Sequence, residues 1–517
     1  MRLADHFDAA VARCPDEIAL LDGVQSFRYR VAARWANEVA RALRADPQLS
    51  QDTNIAIYSP NDARVLLLML AVNRADMAWV GVHARNAVPT NIAVLDEADV
   101  EVIFFHSDFE SVVGQLRVGL PKLRKLICID RASAHGPHLE SWIAENERPL
   151  QIAPEDPLRR SFIQPTGGTT GPAKGSEHSH RSLETGLLAM VEGFDIEPSS
   201  RHLIVAPLTH AAGVMAMAFL ISGARTVILP GFDPALVLST IVRERITHLF
   251  LPPTALYALL AHPDVQQIDC SSLRAIIVGT APVAPDRCKE AIRVFGPVIY
   301  EAYGQSECMF PVLIKKPGDY MRAGGMLDEA VLRSSGCPLA YAAVEIMGED
   351  GELLPPGEKG EIVVRSSMVM KGYYKRPQET AEVCRFGWHH TTDIGVKDER
   401  SFFTIVDRKK DMIVSGGFNI YPVEIEAVIL SHPAVQDCAV IGVPDEKWGE
   451  AVRVVLQFKP GRQATADEII ALCKERLGSV KSPKAVEVWP ELPRSVVGKV
   501  LKSEIRKKFW EGHWRQV

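Results

Sequence analysis

Short apolar segments alternate with segments of helical periodicity from about residue 54 to about residue 304. This alternation is typical of βαβ units, in which parallel strands are joined by helices that cover the sheet. Because the rhythm stops once and then returns, we expect two stacked α/β layers. The strand-like runs are Asn54–Ser59, Met77–Val82, Glu101–Phe105, Lys125–Ile129, His202–Ala206, Arg225–Leu229, Thr247–Leu251, Arg274–Val278 and Pro297–Gly304.

The pattern changes at about Gly336, beyond which helical periodicity disappears. Strand-like runs follow one another there and are separated by turn-forming residues such as those of Pro355–Gly357. The sequence therefore predicts a small antiparallel sheet or barrel without helices. The runs are Ala342–Met347, Gly360–Arg365 and Ser401–Val406.

A second change follows five consecutive charged residues, Asp407–Asp411, which are typical of a solvated connection. Helical and strand-like segments then mix in the remainder of the chain. We predict an α/β protein of two domains. Residues 1–409 form a large N-terminal domain of two stacked α/β layers with a small β-barrel subdomain, and residues 410–517 form a small α+β C-terminal domain.

Composition excludes several classes of protein. The chain has 517 residues, of which 47% are hydrophobic, so it can bury substantial cores. Its 58 basic and 64 acidic residues give a net charge of −6, which disfavours nucleic acid as a partner. The longest apolar run, Ala211–Leu220, is too short to cross a membrane, for which about 20 residues are needed. Asp5 and Asp8 interrupt any export signal, which predicts a cytoplasmic protein.

The segment Pro165–Gly175 is the most informative motif. Its glycines allow sharp turns that expose backbone N–H groups, its threonines add hydroxyl donors, and Lys174 adds a cation. Such a loop suits a phosphate chain. It is not a Walker-type loop, because Gly175 stands where that motif needs Ser or Thr after the lysine.

This segment resembles the phosphate loop of the adenylate-forming superfamily, which includes acyl-CoA synthetases, luciferases and peptide-synthetase adenylation domains. The proline lies one position earlier than in the usual motif, at Pro172, while the glycine and lysine spacing is kept. Further motifs match in the correct order along nearly the whole chain. The resemblance implies that the loop binds ATP phosphates through Thr166, Gly167, Gly168, Thr169, Thr170, Gly171 and Lys174.

The resemblance also implies an adenosine site. Gly279, Thr280, Ala281 and Pro282 would lie along the adenine ring, and Tyr303, next to Gly304, would stack on it. Ser306 would donate its hydroxyl to the α-phosphate, and Glu307 would hold Mg²⁺, a cation that prefers oxygen ligands. Asp393 and Arg408 would bind the ribose, although Thr392 replaces the glycine that usually precedes the aspartate.

Three further groups of residues are implied by the same resemblance. Lys410 would be the hinge of a mobile C-terminal domain. Lys499 would be a catalytic lysine that this domain carries to the nucleotide. His210 would lie between the adenylate and an acyl pocket walled by Ala211, Gly213, Val214, Met309 and Phe310. Gly416, Gly417 and Trp448 would contact coenzyme A.

The implied activity is that of an AMP-forming acyl-CoA ligase, which uses ATP, Mg²⁺ and CoA to convert a small carboxylic acid to its thioester. The apolar pocket residues favour a fatty, branched or aryl acid. Two rivals within the superfamily are an enzyme that loads the phosphopantetheine of a carrier protein and a luciferase-type oxygenase. A non-catalytic nucleotide-binding scaffold is the alternative from another class. A homodimer is the default expectation for the assembly.

Overall fold

The structure is a computed structural model that describes most of the chain as two compact units. The first unit contains described residues of 1–343 and 364–387, and the second contains those of 344–363 and 388–511. The residues described are 1–23, 25–146, 156–166, 174–322, 325–408, 411–415, 418–445, 448–495 and 500–511.

The strands before residue 343 are short, and most of them are largely buried, as expected for strands covered by helices on both faces. They are β1 (Ile18–Leu21), β2 (Ser26–Arg28), β3 (Asn54–Tyr58), β4 (Ala78–Val80), β5 (Val100–Phe105), β6 (Lys125–Cys128), β7 (Arg160–Pro165), β8 (Gly175–Ser179), β9 (Arg201–Ile204), β10 (Arg225–Ile228), β11 (His248–Leu251), β12 (Ala275–Val278), β13 (Ile299–Tyr303), β14 (Leu313–Lys315) and β15 (Cys337–Pro338).

The later strands, four of which have eight or more residues, include those of the β-rich second unit. They are β16 (Ala342–Met347), β17 (Lys359–Ser366), β18 (Gly372–Tyr373), β19 (Cys384–Arg385), β20 (Trp388–Lys397), β21 (Phe403–Arg408), β22 (Ile413–Ser415), β23 (Phe418–Ile420), β24 (Val435–Asp445), β25 (Gly449–Phe458) and β26 (Ala485–Val488).

The helices cover the sheets, and several begin with a side chain that caps the free N–H groups of the first turn, as Asp62, Ser179 and Asp233 do. They are α1 (Leu3–Arg13), α2 (Tyr29–Ala45), α3 (Ala63–Arg74), α4 (Val88–Glu97), α5 (Glu110–Gly119), α6 (Leu139–Glu145), α7 (His180–Gly193), α8 (Ala211–Ser222), α9 (Pro234–Glu244), α10 (Pro253–Leu260), α11 (Pro285–Phe295), α12 (Glu329–Arg333), α13 (Pro377–Val383), α14 (Pro422–Leu430), α15 (Ala466–Lys481) and α16 (Lys502–Trp510), with 3₁₀ turns at Ser107–Phe109 and Pro317–Tyr320.

Two mostly parallel sheets form the first unit. One has seven strands in the order β18-β8-β7-β4-β3-β5-β6, and the other has nine in the order β15-β14-β13-β12-β11-β9-β10-β1-β2. In both, the central strands are parallel and the antiparallel pairs lie towards the ends. The predicted pair of α/β layers is confirmed.

The second unit contains two smaller sheets. In one, β17 lies between β16 and β20, and β21 pairs antiparallel with β20. In the other, β23, β22, β25 and β24 are neighbours in that order, and β26 pairs parallel with β25. Apolar residues of α14, α15 and this sheet form one buried cluster, which includes Ile425, Val440 and Ile469. This small α+β part of the chain therefore has a hydrophobic core of its own.

The expectation that no helix lies between Gly336 and the charged segment Asp407–Asp411 is wrong, because α13 lies there. This helix has seven residues, begins with Pro377 at a position where the missing N–H costs nothing, and buries none of its residues. Because it has no apolar face, its sequence carries no helical periodicity to detect. The predicted boundary between residues 409 and 410 stays a prediction, since both residues lie outside the described ones.

No helix among the described residues is long and apolar enough to cross a membrane. The longest apolar run of the sequence, Ala211–Leu220, lies in α8. This helix is buried over almost its whole length against the nine-stranded sheet and its neighbouring helices. Its apolar character reflects burial on all sides.

A buried ion pair joins β13 to β14 next to the predicted nucleotide motif. The Nζ of Lys315 lies 2.7 Å from the Oε1 of Glu301, and the lysine side chain is fully buried. The same ammonium group donates to the carbonyls of Val331 and Leu332, and the hydroxyl of Tyr320 donates to Glu301. Every polar group of the pair therefore has a partner, as burial of two charges requires.

We predict that Lys315→Met lowers the free energy of unfolding of the first unit by about 3–5 kcal/mol, because it leaves the Glu301 carboxylate buried without its cation. Urea unfolding followed by tryptophan fluorescence measures the change. Lys289→Met is the matched control: Lys289 pairs with Glu329 at a partly exposed site, and its loss should cost no more than about 1 kcal/mol. Equal effects of the two substitutions would contradict the prediction.

Candidate active site

The predicted motifs of the first unit lie at the carboxyl ends of its parallel strands. The segment 206–213 follows β9, the segment 279–282 follows β12, and the segment 303–307 closes β13. These three strands belong to one sheet, and β7, which leads into the phosphate loop, belongs to the other. In open α/β sheets, ligands bind outside the carboxyl ends of the strands. The candidate residues therefore lie at the strand ends where a ligand is expected.

The phosphate loop is held at both ends by β7 and β8. These strands pair antiparallel up to the pair Pro165 and Gly175, and the N–H of Thr166 donates to the carbonyl of Lys174 at 2.7 Å. The first and last functional residues of the predicted loop are thereby fixed next to each other. Residues Gly167, Gly168, Thr169, Thr170 and Gly171 lie outside the described residues, and their roles stay predictions.

Lys174 and Glu307 are connected through Tyr373, a residue to which the sequence assigned no role. The Nζ of Lys174 lies 4.9 Å from the centre of the tyrosine ring, within the range of a cation–π interaction. The hydroxyl of the same tyrosine donates to the Oε1 of Glu307 at 2.8 Å. Burial and the neighbouring Glu307 carboxylate raise the pKa of Tyr373, so the hydroxyl keeps its proton and remains a donor.

His178 on β8 anchors the segment that carries Ser306 and Glu307. Its Nε2 donates to the carbonyl of Ser306 at 2.7 Å, and its ring stacks on Phe162. Burial lowers the pKa of His178 to about 4, so the ring is neutral near pH 7. The sequence reasoning missed this residue, although a histidine inside a short buried strand is a signal that could have been noticed.

Tyr303 and Gly304 lie in a tightly packed turn before these residues. The amide N–H of Gln305 donates to the carbonyl of Cys308, and the N–H of Val312 donates to the carbonyl of Tyr303. A Cβ atom on Gly304 would lie 2.4 Å from the Cβ of Phe310, closer than any real contact. The backbone of Phe310 therefore requires glycine at this position.

Two threonines in the predicted nucleotide motifs have backbone angles in the left-handed region. Thr280, which follows Gly279 and precedes Ala281 and Pro282, has a φ of +73°, and Thr392 has a φ of +63°. Such angles strain a β-branched residue, and strain of this kind is concentrated at functional sites. At Thr392 it explains why the family's motif usually has glycine there.

The turn around Asp393 is held by hydrogen bonds within the second unit. The N–H of Thr392 donates to Glu361 at 3.0 Å, and the N–H of Asp393 donates to the hydroxyl of Thr391 at 3.1 Å. Asp393 is buried, and its main chain pairs with that of Arg408 across β20 and β21. The proposed ribose pair is thus adjacent in register, while the side chain of Arg408 lies outside the described part.

The residues predicted for the acyl pocket lie in two segments, at the start of α8 and just after Glu307. His210 is the N-cap of α8, followed by Ala211, Gly213 and Val214. A Cβ on Gly213 would lie 1.9 Å from the carbonyl oxygen of Leu208, so no larger residue fits. Phe310 packs against the rings of Phe194 and Phe250, and Met309 packs against Gly186.

The remaining predicted residues divide into two groups. Trp448 is 43% exposed, and its backbone N–H donates to the side chain of Asp445. Lys410, Gly416, Gly417 and Lys499 lie outside the described residues, and their hinge, tunnel and catalytic roles stay predictions.

Comparison with known proteins adds to this geometry. The family model described as AMP-binding enzyme matches residues 7–374, and that of the AMP-binding enzyme C-terminal domain matches residues 424–499. The chain belongs to the AMP-binding enzyme family. The predicted resemblance to adenylate-forming enzymes is therefore confirmed, and so is the expectation of a large N-terminal and a small C-terminal domain of mixed α/β type.

Relatives of this AMP-binding enzyme include CoA ligases of several kinds. It is 34% identical to the medium/long-chain fatty-acid–CoA ligase FadD8 of Mycobacterium tuberculosis, over 93% of this chain and 86% of that protein. It is also 34% identical to a feruloyl-CoA synthase of an Amycolatopsis species, over 96% of each chain. The solved structure of the amide bond synthetase McbA of Marinactinospora thermotolerans superposes with a TM-score of 0.88 at 30% identity, over 98% of this chain and 100% of that one.

We predict that Gly304→Ala lowers the free energy of unfolding by about 1–3 kcal/mol, because the new methyl group overlaps Phe310 and the backbone must move. The thermal unfolding midpoint, measured by circular dichroism, reports the loss. Gly318→Ala is the matched control, since a Cβ there meets no atom within 4 Å. If Gly304→Ala unfolded at the same temperature as this control, the tight packing of the turn would be refuted.

Proposed function

We propose that this enzyme is an ATP-dependent, AMP-forming ligase that joins an apolar monocarboxylic acid to coenzyme A. The acid is activated as an acyl-adenylate with release of pyrophosphate, and the acyl group then passes to the thiol. The relatives named as fatty-acid and feruloyl ligases support the reaction class. An acid–thiol ligase accounts for both the nucleotide motifs and the apolar residues near His210.

The contact chain from Lys174 through Tyr373 to Glu307 is the observation that carries the proposal. It holds a cation and a carboxylate on the two sides of one aromatic residue at the end of the phosphate loop. The lysine suits the β- and γ-phosphates, and the carboxylate suits a cation that accompanies them.

Magnesium fits the donor set around Glu307. No cluster of three or more His, Cys, Asp or Glu side chains that could hold a metal occurs among the described residues. A single carboxylate is nevertheless what Mg²⁺ uses when substrate phosphates and water provide the other ligands. Glu307 would hold the ion, which when bound neutralises charge on the triphosphate.

The residues of this chain then act by positioning and by electrostatics. The substrate carboxylate attacks the α-phosphorus of ATP, and negative charge accumulates on the non-bridging oxygens and on pyrophosphate. Lys174, the hydroxyl of Ser306 and the N–H groups of the phosphate loop would stabilise this charge. Such groups are effective because they are oriented before the reaction begins. No general base is needed, since the nucleophile is already ionised.

The adenosine and CoA subsites follow from the same proposal. Tyr303 would stack on adenine along the turn Gly279–Pro282, and Asp393 with Arg408 would bind the ribose hydroxyls. After adenylation, the C-terminal domain would turn about Lys410. Gly416, Gly417 and Trp448 would then guide the pantetheine of CoA. A cytoplasmic location and a homodimer stay predictions.

We predict that acids with an apolar alkyl, branched or aryl group release pyrophosphate from ATP, whereas dicarboxylates and amino acids do not. The residues proposed for the pocket supply no fixed charge to bind a second charged group. A panel of acids of graded length and aromaticity, assayed for pyrophosphate and for the CoA thioester, tests this. Turnover of diacids alone would contradict the proposed substrate class. Thioester formation with free CoA separates the ligase from a carrier-protein loader.

We predict that Lys499→Ala slows acyl-adenylate formation by about 10²-fold or more, because a cation that stabilises the developing charge is lost. Conversion of synthetic acyl-adenylate to the thioester should change little, since that step releases AMP without the triphosphate. Rapid-quench measurement of both steps gives the comparison. Lys507→Ala, at an exposed lysine of α16, is the control for a general charge effect. An undiminished rate of adenylation in Lys499→Ala would refute the role of this lysine.

A further inference from the structure

Gln164 makes a hydrogen bond to His210 that connects the two sheets of the first unit. Gln164 is the penultimate residue of β7, and His210 precedes α8 of the other layer. The Nε2 of the glutamine amide lies 2.7 Å from the Nδ1 of the imidazole. An amide nitrogen carries donors only, so the histidine nitrogen must be the acceptor.

Two hydrogen bonds hold the main chain at Gln164, and Gly81 leaves space for its side chain. The carbonyl of Gln164 accepts from the hydroxyl of Ser176, which holds the main chain to β8. The N–H of Gly81 donates to the carbonyl of Ile163, the residue before the glutamine. A Cβ on Gly81 would lie 2.9 Å from the Oε1 of the glutamine, so the absence of a side chain at Gly81 is what makes room for the amide.

We propose that Gln164 is a positioning residue that keeps His210 in the tautomer with its proton on Nε2. A neutral imidazole has one N–H group and one lone pair. The amide of Gln164 occupies the lone pair at Nδ1, so the proton belongs to Nε2. His210 thus presents a hydrogen-bond donor, and not a base, to whatever lies beside it.

The surroundings of His210 also keep the ring neutral. Burial and, second to it, the nearby His83 lower the pKa of His210 to about 4. His83 is the one described titratable group whose charge acts on the ring, and burial lowers its own pKa as well. His210 is also the N-cap of α8, and the positive end of a helix dipole disfavours a positive charge nearby.

The donor at Nε2 is available for a ligand. Among the residues that the structure describes, none forms a hydrogen bond with this nitrogen of His210. The partner that suits this N–H donor is an acceptor oxygen, above all one that carries negative charge. This inference rests on the proposed function, under which the oxygen is that of the substrate carboxylate and then of the acyl carbonyl.

The assignment restricts the chemistry of the second half-reaction. The thiol loses its proton to water and attacks the acyl carbon as the thiolate; the carbonyl oxygen gains negative charge before AMP leaves with the electrons of the bond that breaks. An N–H donor beside that oxygen stabilises the charge. His210 does not accept the thiol proton, because Nδ1 is occupied by Gln164 and Nε2 already carries a hydrogen.

The tautomer is measured directly by NMR of the full-length enzyme labelled with ¹⁵N-histidine. At pH 7 we expect His210 to show a protonated Nε2 and an unprotonated Nδ1. The signal is assigned by its loss in His210→Gln. In Gln164→Glu, a carboxylate replaces the amide and accepts from Nδ1, so the two nitrogens should exchange roles or both become protonated. A wild-type ring protonated on Nδ1 would overturn the proposal.

Kinetics of the same variants test whether the tautomer matters for the reaction. We expect Gln164→Met and Gln164→Glu to lower kcat by about 10- to 100-fold with less change in the KM for ATP. Only Gln164→Glu should add an ionisation to the pH profile of kcat between pH 5 and 8, because its carboxylate stabilises the imidazolium. A purely structural role would lower the thermal midpoint without this new ionisation, and that result would refute the proposal.

Ser176→Ala serves as the matched control. It removes the hydrogen bond to the main chain of Gln164 but leaves the amide free to reach His210, so the tautomer and the pH profile should be those of the wild type. A changed tautomer in this variant would contradict the role of the side-chain amide. The NMR result is independent of turnover. An enzyme that makes no thioester but shows the expected tautomer would refute the proposed function alone.

Discussion

The hydrogen bond from His178 to the carbonyl of Ser306 connects the two sheets of the first unit where the candidate site lies. Through it, the strand that leaves the phosphate loop is joined to the turn that carries Glu307. The contact of Gln164 with His210 joins the same two layers a short distance along the chain. Buried polar groups need partners, so these contacts define how the two strand edges meet.

Burial gives these groups their chemical state. Both His178 and His210 lose their charge because water is excluded from them, and the hydroxyl of Tyr373 keeps its proton beside Glu307 for the same reason. The neutral donors of His178 and Tyr373 hold Ser306 and Glu307 in place, and the donor of His210 is the one that our proposal assigns to a ligand oxygen. In such surroundings each donor acts more strongly than it would in water.

Much of the fold was predictable from the sequence. Strands such as Lys125–Cys128 and His248–Leu251 lie within their predicted runs, because strands buried on both faces are continuous apolar runs. Helix α13 was missed because it buries no residue. The site was predicted only where a motif marks it. Tyr373 was missed because it lies far along the chain from the residues that it contacts, and nothing in its local pattern distinguishes it.

The sequence by itself determined the order of the motifs, the alternation that builds two parallel sheets, and the family to which the chain belongs. Each of these is local, since it depends on residue types at short spacing. Only the tertiary structure decided that Gln164 approaches His210, that Gly81 leaves space for the amide, and that Tyr373 lies between Lys174 and Glu307. These contacts join distant parts of the chain. Whether a side chain donates, accepts or carries a charge depends on neighbours that only folding brings together.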